Sequence, residues 1–217
     1  MADHARSDDP AVQAQLDRFA QLSPGRDVLG LERINALLAR LGNPHHHLPP
    51  VFHVAGTNGK GSTCAFLRAG VEAAGLTAHV YTSPHLCRFN ERIRIAGQLI
   101  SDQALAPLLA EVLDCAGDIG PSFFEATTAA AFLAFARTPA DVAIIEVGLG
   151  GRLDATNIIA APAVCAIALP NTAAAEPTST ERRVKTGFFR CFGMVVYVFI
   201  RFVAMKFIQP SVSVCAA

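Results

Sequence analysis

The sequence lacks an excess of charge of either sign, since 18 lysine and arginine residues balance 18 aspartate and glutamate residues. Six basic and only two acidic residues lie beyond residue 170, so the first 170 residues are mildly acidic. A protein that binds nucleic acid usually carries a basic surface. We therefore expect small-molecule partners and no nucleic-acid partner.

The sequence also lacks cysteine pairs and long apolar runs. Its six cysteines form no CxxC pair, and we expect Cys64, Cys115 and Cys165 to be reduced thiols of the core. Residues 1–10 are polar and lack the apolar region of a signal peptide. The uncharged stretch 191–200 is about half as long as a membrane span. We expect a cytoplasmic monomer with no membrane partner.

The most informative stretch begins at Val51. Residues 51–55 predict a buried strand, a glycine-rich turn follows, and a helical pattern runs from about Lys60 to a stop at Gly75. A strand, a glycine turn, a lysine and a hydroxyl before a helix are typical of a phosphate-binding loop. The alternative is a glycine-rich turn without a ligand. The predicted nucleotide-binding residues are Thr57, Asn58, Gly59, Lys60, Gly61 and Ser62.

Strand and helix patterns alternate along the chain. This alternation predicts an α/β core with a largely parallel sheet, in which ligands bind beyond the carboxyl ends of the strands. Predicted strands cover residues 51–55, 78–82, 142–147 and 163–169, the last two as buried apolar runs. Predicted helices begin near residues 10, 29, 60, 101 and 123.

Four motifs in order resemble those of the folylpolyglutamate synthase/dihydrofolate synthases of the Mur ligase superfamily. They are GTNGKGS at 56–62, YTSPHL with RFNERI at 81–93, FFEATT at 123–128 and EVGLGGRLDATN at 146–157. The resemblance covers residues 28–169. It implies an incomplete Mur-ligase-type P-loop ATPase domain at 51–169, after a helical lead-in at 1–50 and before a divergent tail at 170–217.

The resemblance also implies an activity and its site. These ligases use ATP and Mg²⁺ to join a carboxylate to L-glutamate through an acyl phosphate, here on dihydropteroate or tetrahydrofolate. It implies that Lys60 and Glu146 are catalytic, and that Ser83 and Glu146 bind the metal. The implied pterin-binding residues are Val28, Leu29, Gly30, Leu31, Ser122, Phe123, Phe124, Glu125, Leu153, Asp154 and Ala155.

Several of these residues have plainer interpretations. Ser83 before Pro84 could simply form a turn, and Asp154 and Asn157 are equally typical of turns. Glu91 and Arg92 could form a surface ion pair. The histidine run 45–47 suggests a solvated loop rather than a metal site, because consecutive side chains do not converge easily on one ion.

The resemblance ends at Leu169. The family continues with a histidine that binds a second magnesium ion and with a carbamylated lysine, and nothing after Pro170 resembles either. The tail composition suggests an out-of-frame end, so we expect a truncated form with little activity. The alternatives are a non-catalytic ATP-binding fragment, or a Mur-type amide ligase that acts on a peptidoglycan precursor.

Overall fold

The computed structural model describes residues 5–22 and 30–168. Predictions for Val28, Leu29 and the tail 170–217 lie outside these residues. The helices are α1 (Pro10–Leu22), α2 (Glu32–Arg40), α3 (Lys60–Ala73), α4 (Asp102–Ala116) and α5 (Phe123–Arg137). The strands are β1 (Val51–Gly56), β2 (Ala78–Tyr81), β3 (Ile93–Ile95), β4 (Gln98–Leu99), β5 (Val142–Glu146) and β6 (Val164–Ala168).

The strands form one six-stranded sheet in the order β4-β3-β2-β5-β1-β6. Strands β2, β5, β1 and β6 are parallel, and β3 and β4 extend the sheet as an antiparallel hairpin. The predicted α/β fold with a mostly parallel sheet flanked by helices is therefore confirmed. The central position of β1 and β5 explains why both are apolar runs, since both faces of each strand are covered.

Two apolar clusters cover the two faces of the sheet. On one face, α3 contributes Cys64, Leu67 and Val71 to a cluster with β1, β2 and β5. The larger cluster on the other face joins α1, α2, α4 and α5. The spacing of Val12, Leu16 and Phe19 places these side chains on the buried stripe of α1, as a period of 3.6 requires. Within the described residues, no helix is long and apolar enough to cross a membrane.

Strand β6 corrects two expectations. We predicted a strand buried on both faces and a core thiol at Cys165, but Cys165 is exposed and Ile167 is 63% exposed. Strand β6 pairs only with β1 in the described sheet, and Ala166 alone of its residues is a buried member of the cluster beneath α3. The opposite face of this edge strand is left open by the described residues. Of the other two thiols, Cys64 is buried as expected, whereas Cys115 is only half-buried.

Candidate functional site

The predicted phosphate loop joins β1 to α3 with little freedom in its backbone. Gly56 has a φ of 141°, and a Cβ atom there would collide with the backbone oxygen of Ala168 in β6. Gly59 precedes the helix with a φ of 77°. Its carbonyl accepts hydrogen bonds from the backbone N and from Oγ1 of Thr63, both at 2.9 Å. The loop therefore requires glycine at positions where a side chain would clash or strain the backbone.

The loop presents its side chains outward. Thr57, Asn58 and Ser62 are exposed and Lys60 is half-buried. Within the described part of the chain, the side chains of Thr57 and Asn58 make no hydrogen bond. The first N–H groups of a helix lack partners and carry the positive end of its dipole, so the start of α3 is suited to an anion.

Glu146 lies at the carboxyl end of β5, beside this helix start. The residue is 4% exposed, and its Oε2 accepts a hydrogen bond from the backbone N of Ser83 at 3.2 Å. The same oxygen lies 3.9 Å from the place where a Cβ atom of Gly61 would be. Burial raises the pKa of Glu146, while the Ser83 N–H and the positive charge of Lys60 act in the opposite direction.

This arrangement fits a magnesium ion that arrives with phosphates. Such an ion keeps several waters and uses one or two carboxylates together with phosphate oxygens, so it needs no cage of protein ligands. Within the described residues, no group of three or more His, Cys, Asp or Glu side chains could hold a metal by itself. Glu146 and Ser83 could hold such an ion together with the phosphates of a nucleotide.

The predicted pterin-binding segments meet on the other side of the sheet. Arg33, two residues beyond Leu31, donates from Nε to Oε2 of Glu125 at 3.0 Å, which joins the start of α2 to the start of α5. A Cβ atom on Gly148 would collide with the ring of Phe124, so the start of α5 also packs against the loop after β5. Three segments that are far apart in sequence thereby share one surface.

Most polar side chains of these segments already have partners inside the protein. Ser122 caps α5, and Oε2 of Glu125 accepts from the Ser122 backbone N at 2.6 Å in a capping box. Asp154 is 5% exposed and accepts hydrogen bonds from the backbone N of Leu149 and of Thr156. Phe123 is half-buried, Ala155 is buried, and Leu153 is 39% exposed. These contacts support the turn interpretation of Asp154, and the ligand contacts stay predictions.

The segment around residue 90 tests the alternative interpretation of Glu91 and Arg92 as a surface ion pair. Arg92 is 1% exposed, so the surface ion pair is wrong for this residue. Its Nε donates to Nδ1 of His85 at 2.9 Å, and its guanidinium lies over the rings of Phe89 and Phe123. Glu91 instead accepts hydrogen bonds from the backbone N atoms of residues 86, 87 and 88. The contact with Phe123 could not be predicted from the sequence, because Phe123 lies far from Arg92 along the chain.

Two smaller predictions concern loops. Residues 44–47 form a 3-10 turn in which His46 and His47 are exposed. The Asn157 side chain donates to the backbone oxygen of Arg152 at 3.1 Å, as expected of a turn residue.

Two residues of the site region were missed by the sequence analysis. His53 lies in β1 and is 8% exposed, and its Nε2 lies 2.8 Å from Oγ1 of the fully buried Thr156. A histidine inside an otherwise apolar strand was the available signal, because a buried polar side chain needs a partner.

Comparison with known proteins gives a consistent family. The chain is 47% identical over 167 residues to dihydrofolate synthase/folylpolyglutamate synthase of Escherichia coli K12, an alignment that covers 75% of this chain and 39% of the relative. The relative of the same name from Bacillus subtilis is 47% identical over 137 residues, which are 60% of this chain and 32% of that protein. No protein-family model matches the chain.

Solved structures agree with the sequence relatives. Escherichia coli FolC in complex with DHPP and ADP matches with a TM-score of 0.68 and 42% identity, over 77% of this chain and 41% of that chain. A bifunctional folylpolyglutamate synthase/dihydrofolate synthase with Mn, AMPPNP and L-glutamate bound matches with a TM-score of 0.66 and 45% identity, over 72% and 37%. The chain thus spans about two fifths of the length of these relatives. The described part of the chain is homologous to the N-terminal part of the dihydrofolate synthase/folylpolyglutamate synthases and shares the fold of that part.

Proposed function

We propose that this chain supplies the nucleotide site and part of the acceptor site of an ATP-dependent ligase that adds L-glutamate to dihydropteroate or tetrahydrofolate. The observation that carries the proposal is the buried carboxylate of Glu146 beside the phosphate loop. A buried carboxylate with one backbone hydrogen bond and a raised pKa is costly unless a cation joins it. Relatives with bound AMPPNP and Mn, or bound ADP, support a nucleotide with a divalent cation as the ligand.

Different parts of the loop would contact different groups of the nucleotide. The turn 56–59 brings backbone N–H groups close to phosphate oxygens, and the start of α3 adds its dipole. Lys60 contributes a positive charge to the outer phosphates, while Ser83 and Glu146 hold Mg²⁺. The bound nucleotide and metal supply the activated phosphoryl group, and the protein contributes mainly orientation and charge neutralisation.

The acceptor side of the proposal uses the surface shared by α2, α5 and the loop after β5. Leu31, Phe123, Phe124 and Leu153 offer half-buried or exposed apolar surface there, which suits a flat aromatic pterin. The relatives are named as dihydrofolate synthases and folylpolyglutamate synthases, which supports this substrate class. All four cysteines in the described ranges are free thiols, which supports a reducing compartment such as the cytoplasm.

Titration calorimetry with the full chain tests the nucleotide site. We expect ATP with Mg²⁺ to bind, and Lys60→Ala to weaken this binding roughly ten- to a hundredfold, because one charge-assisted hydrogen bond contributes about 1.5–3 kcal/mol. Arg68→Ala is the matched control, since it removes a positive charge from the same helix, where Arg68 pairs only loosely with Glu72 at 3.8 Å. Equal ATP affinity in the wild type and in Lys60→Ala would exclude the phosphate loop.

A further inference from the structure

A buried chain of hydrogen bonds connects β1 to the loop after β5. Oδ1 of Asp154 accepts from Oγ1 of Thr156 at 2.6 Å and from its backbone N at 3.0 Å, and Oδ2 accepts from the backbone N of Leu149 at 2.8 Å. Thr156 Oγ1 in turn contacts Nε2 of His53 at 2.8 Å. All three side chains, His53, Asp154 and Thr156, are buried.

With Asp154 as a carboxylate, one set of hydrogen-bond directions satisfies this network. The hydroxyl proton of Thr156 goes to the carboxylate of Asp154, which can only accept when it is ionised. Thr156 Oγ1 therefore acts as the acceptor for His53, and Nε2 of His53 carries a proton. These hydrogen bonds join the loop 149–156 to β1.

The two ends of the network belong to the two halves of the proposed site. His53 lies three residues before Gly56, where the phosphate loop begins. Asp154 lies in the segment 153–155, and the same carboxylate holds Leu149 at the other end of the loop. His53 is paired with Ile145, whereas Val54 is paired with Glu146. Because successive residues of a strand point to opposite faces of the sheet, the His53 side chain lies on the face opposite to that of Glu146.

We propose that His53 and Thr156 are positioning residues that set the acceptor-binding loop relative to the phosphate loop. The inference rests on the proposed function and extends it to two residues that touch neither ligand. Losing the hydroxyl of Thr156 frees the loop from β1 but leaves the phosphate loop intact. The expected consequence is a loss of acceptor affinity without a loss of nucleotide affinity.

Calorimetry on the full chain separates these effects. Dihydropteroate is titrated into protein saturated with ATP and Mg²⁺, and ATP is titrated separately. We expect Thr156→Val to weaken dihydropteroate binding about tenfold, the effect of one hydrogen bond in a charged network, and to leave ATP affinity within about twofold. Thr156→Ser keeps the hydroxyl and should restore acceptor binding. His53→Leu should behave like Thr156→Val, and His53→Gln, which keeps a donor, like the wild type.

His79→Leu is the matched control for stability. Like His53, His79 is a buried histidine in a strand. Its ring contacts the Thr138 oxygen and the Ala96 N rather than residues of the site. This variant should be less stable but should keep both affinities. The inference is overturned if Thr156→Val binds dihydropteroate as the wild type does, or if it loses ATP and dihydropteroate affinity equally. A wild-type chain that binds ATP but no dihydropteroate overturns it together with the acceptor half of the proposed function.

Discussion

The start of α5 and the end of β5 each contain a buried glutamate, and the two carboxylates differ in their hydrogen-bond and ion-pair partners. Glu125 and Glu146 are both 4% exposed. The carboxylate of Glu125 accepts from the Ser122 backbone N and forms an ion pair with Arg33 at 3.0 Å. The carboxylate of Glu146 accepts one longer hydrogen bond from Ser83, and Lys60 is the positive charge that acts on it.

This difference separates a structural carboxylate from one that is available for a ligand. Burial of a charge costs free energy in both places, but at Glu125 the protein itself provides the compensation. At Glu146 the compensation is incomplete, and the raised pKa expresses that cost. Burial alone therefore does not single out a metal ligand, and the incomplete compensation at Glu146 is the observation that supports its proposed role.

The largest expected effect on stability is at Glu125. Glu125→Ala removes the capping box of α5 and the ion pair between Glu125 and Arg33, so we expect the free energy of unfolding to fall by about 2–3 kcal/mol. Glu146→Ala is the matched control and should cost clearly less, because it also removes an unfavourably buried charge. Urea unfolding at neutral pH measures both variants. Equal losses would remove the distinction between the two carboxylates.

The stability of the glycine turn between β1 and α3 depends on its backbone conformation. Gly56→Ala should lower the free energy of unfolding by about 1–3 kcal/mol, because a Cβ atom would meet the Ala168 oxygen at a φ that favours glycine. Gly150→Ala is the control, since Gly150 has a φ of 74° and nothing within 4 Å of the added atom. Its cost should be about 1 kcal/mol, from the backbone alone. A greater loss for Gly150→Ala would contradict the collision.

A smaller effect concerns His79, which is buried away from both glutamates and from the glycine turn. His79 Nε2 donates to the Thr138 oxygen at 2.9 Å, and its Nδ1 accepts from the Ala96 N at 3.1 Å, so the neutral ring satisfies both neighbours. Burial lowers the pKa of His79, against the effect of the Thr138 carbonyl. The unfolded chain then binds more protons than the folded one, so stability is complete above the unfolded pKa of about 6.5 and falls as the pH drops below it.

Unfolding at about pH 7.5 and about pH 5.5 measures this dependence. The wild type should be less stable at the lower pH, and His79→Gln, which keeps a donor towards Thr138, should show a smaller difference. His45 and His53 also have a lowered pKa and keep part of the dependence in the variant. An unchanged pH dependence in His79→Gln would show that His79 does not contribute.

The sequence predicted those parts of the fold that local patterns describe. The apolar run 142–147 and the helix starts predicted near residues 101 and 123 agree closely with the observed β5, α4 and α5. The glycine turn between β1 and α3 could be predicted because its glycines, lysine and hydroxyl lie within seven residues of one another.

The remaining features depend on contacts between distant residues. The partner of Glu125 is Arg33, 92 residues away, and that of His53 is Thr156, 103 residues away. The buried Arg92 packs its guanidinium over the ring of Phe123. Cys165 is exposed, and its strand lies at the edge of the described sheet. No local period in the sequence reports such pairings, so the buried polar network and the exposed edge could only be seen in three dimensions.

The magnesium dependence of ATP binding in Glu146→Gln and Glu125→Gln tests the central distinction most directly. Both substitutions keep the size of the side chain and remove one buried negative charge. Calorimetric titrations of ATP with and without Mg²⁺ should show that Glu146→Gln loses most of the enhancement by magnesium, whereas Glu125→Gln retains it as in the wild type. An identical response to magnesium in the two variants would contradict the assignment of Glu146 as the carboxylate that holds the metal.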